Sequence, residues 1–306
     1  MKIIYKLLFL FLLTIGYSSC DFLDIVPDEI TTEADAFKDR NAAKNFVYSC
    51  YGYLPQSNVA SGSLDLLTGD EVITAFEHET FASFPKGNYT ASSPVISYWN
   101  TFFQGLRQCY IFLENVDKVP DLTESVKTDY IAQVKFLIAY YHYQLARCYG
   151  PIILIKELPD VNASQAEYLP RTSYDECVDW ICNLLDEAAS SLPAIRTNKE
   201  DYGLATSVGA KAVKAKMLLY AASPLFNGNS SFYSNFTDKS GSQLMPLTYD
   251  PNKWVKAKTA IKEAIDLAEQ NGHALYVKQD YKIGNEDANP YPAAGPVRCL
   301  RTSLVA

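Results

Sequence analysis

The amino-acid sequence predicts a mostly α-helical fold, an irregular α-solenoid with long loops and a helical cap at its N-terminal end. Apolar residues recur every three or four positions along several segments, which is the period of an amphipathic helix. Two of those segments, 128–149 and 206–223, alternate alanine or glycine with large apolar residues, so that neighbouring helices can approach closely. The chain has 306 residues, 48% of them hydrophobic, and is long enough to bury a large core.

The N-terminal segment is predicted to be a processing signal. Two lysines, an apolar run at 7–15 and a pair of serines come directly before Cys20. The apolar run is shorter than the roughly 20 residues that cross a bilayer as a helix. We expect residues 1–19 to be removed and a lipid to be attached to Cys20; an ordinary secretory signal with a chance cysteine is the alternative. Residues 20–31 are acidic and are predicted to form an extended tether.

The first helical elements follow the tether. A capping-box pattern beginning at Thr32 predicts a helix that ends before Pro55. The periodicity then fails over 56–93, and an irregular segment of this length inside a compact domain is often functional. Ser93 as N-cap and Pro94 in the first turn are predicted to open the next helix.

The strongest helical pattern lies at 128–149, where most of the helix circumference is apolar. Its tyrosines are expected in the core: Tyr140, Tyr141 and Tyr143. Gly150 suits the left-handed turn that follows a helix, and Pro151 prevents the helix from resuming. The next residues, 152–155, are a candidate short strand.

The remaining helices are predicted at 173–192, 206–223 and 252–271. Helices 128–149 and 206–223 read as the first members of two pairs, stacked in the manner of tetratricopeptide repeats. Trp254 is expected to face inward in the last helix, and the Ser/Asn/Gly-rich stretch before that helix is expected to be an exposed insertion.

Charge and cysteine usage exclude several classes of function. The net charge is −8, without a Lys/Arg block, which argues against nucleic acid as a partner. No Cys-x-x-Cys is present, and Cys50, Cys109 and Cys148 lie among apolar helical residues, so buried thiols are expected rather than metal or redox sites. The three histidines are far apart in the sequence, and neither a zinc site nor any other cofactor is predicted.

Six segments together resemble the SusD/RagB family of outer-membrane lipoproteins of Bacteroidota. In order, they are CDFLD at 20–24, SLDLLTGDEV at 63–72, IFLENVDKV at 111–119, VKFLIAYYHYQLARCYGPIIL at 134–154, the stretch at 170–193, and ATSVGAKAVKAKMLLYAASP at 205–224. They occur in the family's order, and the resemblance covers residues 20 to about 271.

The resemblance implies a non-catalytic binder of an oligosaccharide or another nutrient, anchored to the outer membrane by lipid and facing the cell exterior. Its partner would be a SusC-like TonB-dependent transporter, engaged through the helical side. Residues 32–284 would form the N-terminal helical domain with tetratricopeptide-like pairs. The family continues well past the end of this chain, so 285–306 is expected to be an irregular tail that begins a missing C-terminal part.

A glycan binder needs aromatic faces for sugar C–H groups and polar side chains for hydroxyl groups. The irregular region and the helix start after it supply the ligand-binding candidates: Phe76, Glu77, Tyr89, Tyr98, Trp99 and Asn100. Trp99 also matches the family's helix as a core residue, and both roles stay open.

Two other classes of function remain as alternatives. A glycoside hydrolase needs two suitably spaced carboxylates, and Asp70/Glu71 or Glu77/Glu79 could nominally supply them, as could many pairs among 35 acidic residues. A helical-repeat adaptor would hold a peptide or protein on its concave face. The lipid signal and the aromatic-rich loop favour nutrient capture.

Overall fold

The computed structural model describes residues 33–55, 83–160, 162, 169–275 and 298–299. The α-helices are α1 (Glu33–Ala36), α2 (Arg40–Tyr51), α3 (Trp99–Asn115), α4 (Glu124–Tyr149), α5 (Tyr174–Ser191), α6 (Ser207–Ala222), α7 (Ser230–Tyr233) and α8 (Asn252–Gln270); 3-10 turns occupy Val116–Lys118 and Lys199–Asp201. Two short strands, β1 (His273–Ala274) and β2 (Arg298–Cys299), pair in parallel. The mostly α-helical prediction is confirmed.

Helix α4 forms the centre of the fold. Residues 132–134 and 136–146 are all buried, because α2 and α3 pack on one side of the helix and α5 packs on another. Helix α4 ends where Gly150 takes a positive φ of 71° and donates its N–H to the carbonyl of Ala146. The predicted core helix and its stop signal are both confirmed.

The later helices continue the stack one after another. Helix α5 packs on α4, α6 packs on α5, and α8 packs on α6, which confirms the predicted helix pairs. Fully buried alanines line these contacts, among them Ala188, Ala210 and Ala257. Asp186 of α5 also binds two lysines of α6, Lys211 and Lys214. Burial alone would raise the pKa of the Asp186 carboxyl, but the hydrogen bonds from the two lysines outweigh burial and hold the pKa low.

Helices α3 and α4 approach each other closely at Gly105. A β-carbon at this position would lie 3.0 Å from Cε2 of Tyr141 and 3.0 Å from the β-carbon of Tyr53. Only glycine therefore fits without displacing one of those tyrosines.

One predicted helix is interrupted, and the predicted start of another is wrong. The first helix begins at Glu33, directly after Thr32, as expected. The N-terminal helical region is divided in two, and α2 begins after Asp39, whose carboxylate accepts the N–H of Ala42 at 2.8 Å; Thr32 lies outside the described residues. Helix α3 begins at Trp99 rather than after Ser93 and Pro94. The N–H of Ser93 instead donates to the hydroxyl of Thr90 at 3.0 Å, so this segment forms a local turn.

The predicted strand at 152–155 is not formed. The N–H of Ile155 donates to Nε2 of His142 at 3.1 Å, and the carbonyl of Ile152 accepts from the N–H of Thr172 at 2.7 Å. This extended segment is bound by side chains and by one isolated amide, and no strand within the described residues pairs with it. The His142 ring also meets the Trp180 ring edge-on, with centroids 4.8 Å apart.

Three predictions of burial are also corrected. Trp254 is 41% exposed, because the buried stripe of α8 falls on its alanines. Cys148 is exposed, whereas Cys50 and Cys109 are buried as expected. The stretch before α8 is not wholly exposed, since Leu244 and Met245 are buried. None of the helices in the described ranges is both long enough and apolar enough to span a membrane.

Candidate binding surface at the start of α3

The structure brings some of the candidate ligand residues together at the start of α3. Tyr98 immediately precedes the helix, and Trp99 and Asn100 are its first two residues. Tyr89 lies in the loop before them. The other two candidates, Phe76 and Glu77, lie outside the residues that the structure describes.

Trp99 is half-buried and held on more than one side. The Tyr149 ring meets it edge-on at 5.2 Å between centroids. The guanidinium of Arg171 lies over the indole, 5.6 Å from its centroid, which is within the range of a cation–π interaction. These contacts give Trp99 a packing role and leave only part of the indole available to a ligand.

Arg171 reaches this position because it binds the chain just after α4. Its Nη1 donates to the carbonyl of Pro151 at 2.8 Å and to the carbonyl of Tyr149 at 3.2 Å. The last carbonyls of a helix lack partners within the helix, and a basic side chain is a favourable one. Arg171 therefore fixes the end of α4 against the start of α3.

Tyr98 is likewise engaged in packing. Its backbone N–H donates to the hydroxyl of Tyr149 at 2.9 Å, and its ring stacks on Phe102 with centroids 5.0 Å apart. The side chain is half-buried. Tyr98 therefore anchors the start of α3, and only part of its side chain is accessible to a ligand.

Tyr89 and Asn100 are the most accessible of the described candidates. Tyr89 is 52% exposed, and its ring rests against Phe84 with centroids 5.2 Å apart. Asn100 is exposed in the first turn of α3. An accessible phenol ring and an accessible amide are the two kinds of group that a sugar requires.

Sequence reasoning did not identify three residues of this surface, namely Phe84, Tyr149 and Arg171. Tyr149 and Arg171 lie about 50 and 70 positions from Trp99, so no local pattern links them to it. The position of Tyr149 directly before the helix-ending Gly150 was the available signal, because it places this ring at a helix end.

A separate groove of about 840 Å³ lies between α2, the start of α4 and the residues that follow α5. Two charged groups at its walls bind each other: Asp129 and Arg196 form a two-pronged ion pair at 2.8 and 2.9 Å. Lys44 lies 5.4 Å over the Tyr48 ring and covers one of its faces. The groove therefore presents fewer available aromatic faces than the surface at the start of α3.

The surface at the start of α3 carries side chains of the kinds that bind sugars. Tyr89 can stack on a sugar ring, while Asn100 and Arg171 can bind hydroxyl groups. Among residues 33–55, 83–160 and 169–275, no three His, Cys, Asp or Glu side chains cluster so as to hold a metal ion.

Comparisons with known proteins identify similar sequences and structures. Residues 21–219 match the model of a SusD-like family described as starch-binding and associating with the outer membrane. SusD-like protein P25 of Formosa agariphila is 23% identical over 230 residues, which are 71% of this chain and 43% of P25.

Solved structures show the same likeness. The structure of BT4246 is 36% identical with a TM-score of 0.71, over 78% of this chain and 42% of BT4246. A laminarin-binding SusD-like protein has a TM-score of 0.50 at 23% identity, over 61% of this chain and 41% of its own. The chain thus spans about two fifths of the length of the relatives that it matches.

Proposed function

Because the chain belongs to the SusD-like family, whose model it matches over residues 21–219, we propose that it binds an oligosaccharide or another nutrient at the outer-membrane surface. It passes the ligand to a SusC-like TonB-dependent transporter and does not alter it chemically. The observation that carries this proposal is the exposure of the Tyr89 ring and of the Asn100 amide, two groups that lie inside the matched region.

The ligand class to test first is a glucan. The family description refers to starch, and one relative with this fold binds laminarin. Native affinity gels containing starch or laminarin measure binding directly, because a bound protein migrates more slowly. Retardation by one polysaccharide supports the proposal, whereas migration unaffected by any polysaccharide in a broad panel contradicts it.

Two further measurements separate the alternative functions. Release of shorter sugars from the polysaccharide would identify a glycoside hydrolase. Binding to peptide arrays without binding to any glycan would identify a helical-repeat adaptor.

Tyr89 is the first residue to vary at this surface. Tyr89→Ala removes an exposed ring and should weaken binding roughly 3- to 10-fold, the equivalent of one aromatic contact. Tyr249→Ala is the matched control, since Tyr249 is similarly exposed at 56% but precedes α8. Equal affinity of the Tyr89→Ala variant and the wild type would show that Tyr89 does not contribute to binding.

The proposed location depends on Cys20. A lipid on this residue would anchor the mature chain to the outer membrane, facing outward, and the acidic residues after it would form the tether. A palmitate analogue should label the wild-type protein and should not label Cys20→Ala. Equal labelling of the two proteins would refute the anchor.

The transporter partner is tested by cross-linking the protein in intact cells and identifying the proteins recovered with it. Failure to recover a transporter would refute this partner.

A further inference from the structure

Two buried cysteines meet where α2 packs on α3. Cys50 lies near the end of α2 and Cys109 lies in the middle of α3; neither side chain is exposed. The structure holds both as thiols, and burial together with the neighbouring Cys50 raises the pKa of the Cys109 thiol.

The backbones around this pair are held close together. The hydroxyl of Tyr141 donates to the carbonyl of Cys50 at 2.5 Å. Gly105, one turn before Cys109, is in tight contact with Tyr141 and Tyr53. A disulfide bond would bring the two sulfur atoms to a distance of about 2.05 Å.

We propose that Cys50 and Cys109 form a disulfide bond when the protein folds outside the cytoplasm. The proposal uses the export that is part of the proposed function, because thiol pairs persist as disulfides in oxidising compartments. The oxidant is a disulfide of another molecule, either an oxidoreductase or glutathione. One thiolate attacks it to give a mixed disulfide, and the second thiolate displaces the carrier. The protein loses two electrons and two protons, and the oxidant becomes two thiols.

Two other cysteines have different surroundings. Cys177 donates to the carbonyls of Ile152 and Thr172, and Cys148 is exposed. Burial raises the pKa of the Cys109 thiol, so the reactive thiolate is scarce once the core has closed. The bond therefore forms during folding, and the closed core then protects it from reduction.

Tryptic mapping tests the bond directly. The protein is reduced, denatured and refolded in a glutathione buffer poised near −190 mV, a value typical of oxidising compartments, and its free thiols are then alkylated. Cleavage after Lys44, Lys86, Arg107 and Lys118 places Cys50 in peptide 45–86 and Cys109 in peptide 108–118. We expect these two peptides to be recovered as one linked species that reduction separates. Recovery of both as alkylated peptides, or linkage of either to another cysteine, would overturn the proposal.

Thermal stability provides a second readout. A disulfide bond that closes the loop from Cys50 to Cys109 should raise the melting temperature of the protein by about 10 °C. Reductant should abolish this increase. The Cys50→Ala/Cys109→Ala double variant should melt at one temperature with or without reductant, whereas Cys148→Ser should keep the full shift. A wild-type melting temperature that does not respond to reductant would contradict the bond.

Analysis of protein isolated from cell envelopes tests the disulfide bond and the proposed location independently. Thiols are alkylated at lysis, and the N-terminus and the linked peptides are mapped on the same sample. A processed, envelope-bound protein with both thiols alkylated would overturn the disulfide and leave the location intact. An unprocessed cytosolic protein that becomes linked on refolding would overturn the location alone.

Discussion

At the scale of single residues, the hydrogen bonds of His142 define the protonation state of its ring. Its Nδ1 lies 2.8 Å from the carbonyl of Ile138 and must donate, while Nε2 accepts the N–H of Ile155 at 3.1 Å. Both bonds require a neutral ring with its proton on Nδ1. Burial lowers the pKa of His142 to about 4.

This pKa predicts a loss of stability in mild acid. The unfolded chain binds a proton near pH 6.5 and the folded chain near pH 4, so the unfolded state holds more protons between these values and stability falls as pH drops through this window. We expect a loss of roughly 2 kcal/mol at pH 5 relative to pH 7.5. Urea unfolding at the two pH values measures it.

The control for this experiment is His142→Phe, which cannot titrate. It should be less stable than the wild type at pH 7.5, because the N–H of Ile155 loses its acceptor. Its stability should change less between pH 7.5 and pH 5. An unchanged pH dependence would show that other groups cause the acid sensitivity.

Arg171 supports a second prediction at the residue scale. Arg171→Lys keeps the charge but cannot reproduce the planar contact with Trp99 together with both carbonyl bonds. We expect Trp99 to become more accessible, with stronger quenching of its fluorescence by acrylamide. Arg107→Lys is the control, since Arg107 also binds a carbonyl, that of Pro159, at 3.1 Å. Equal quenching in both variants would argue against the role of Arg171.

At the scale of elements, the close crossing of α3 and α4 predicts that a glycine-to-alanine substitution will have the opposite of its usual effect on stability. Replacing a glycine inside a helix with alanine normally stabilises the helix. Gly105→Ala should do the opposite, costing roughly 1–3 kcal/mol, because its β-carbon meets Tyr141 and Tyr53 at 3.0 Å. Chemical denaturation measures the change.

Gly209→Ala is the comparison for Gly105→Ala. This glycine lies in the first turn of α6, and the nearest atom to its β-carbon would be the hydroxyl of Thr206 at 3.3 Å. Its effect should be small. Stabilisation by Gly105→Ala would mean that α3 and α4 can separate without cost.

The helices themselves were largely predictable from the sequence. The buried face of a helix requires apolar residues every three or four positions, and α4 shows this spacing in residues such as Ile138 and Leu145. The exact helix starts were less predictable. Ser93 and Pro94 carry the signals of a helix start, but a local turn with Thr90 uses the backbone of Ser93. Trp254 was misplaced because the stripe of α8 that packs on α6 consists of alanines, whose small size gives a weak apolar signal.

The candidate surface was predictable only in part. Tyr98, Trp99 and Asn100 are consecutive, so their proximity follows from the sequence. The contacts of Trp99 with Tyr149 and Arg171 depend on how α4 ends beside α3. No spacing in the sequence encodes that placement.

At the scale of the whole molecule, one hydrophobic core connects the long helices. Buried side chains run from Phe37 before α2, through α4, to Ala264 in α8 without a break into separate clusters. A core shared in this way predicts cooperative unfolding rather than the loss of one helix pair at a time.

Leu137 in the middle of α4 tests this cooperativity. Leu137→Ala should destabilise the protein by about 2–5 kcal/mol, since the side chain is fully buried, and far- and near-ultraviolet circular dichroism should still change together. Leu219→Ala is the control, because this side chain is 41% exposed on α6, and its effect should be much smaller. Separate transitions in the two signals would disprove a single cooperative unit.

Because the rings of His142 and Trp180 are in edge-on contact, the fluorescence of Trp180 should report whether His142 is protonated. A protonated imidazole quenches the light emitted by a neighbouring indole, whereas a neutral imidazole quenches it far less. Acidifying the intact protein should therefore dim the emission of Trp180 before any helix melts. Comparison with Trp180→Phe would isolate that signal from the two other tryptophans.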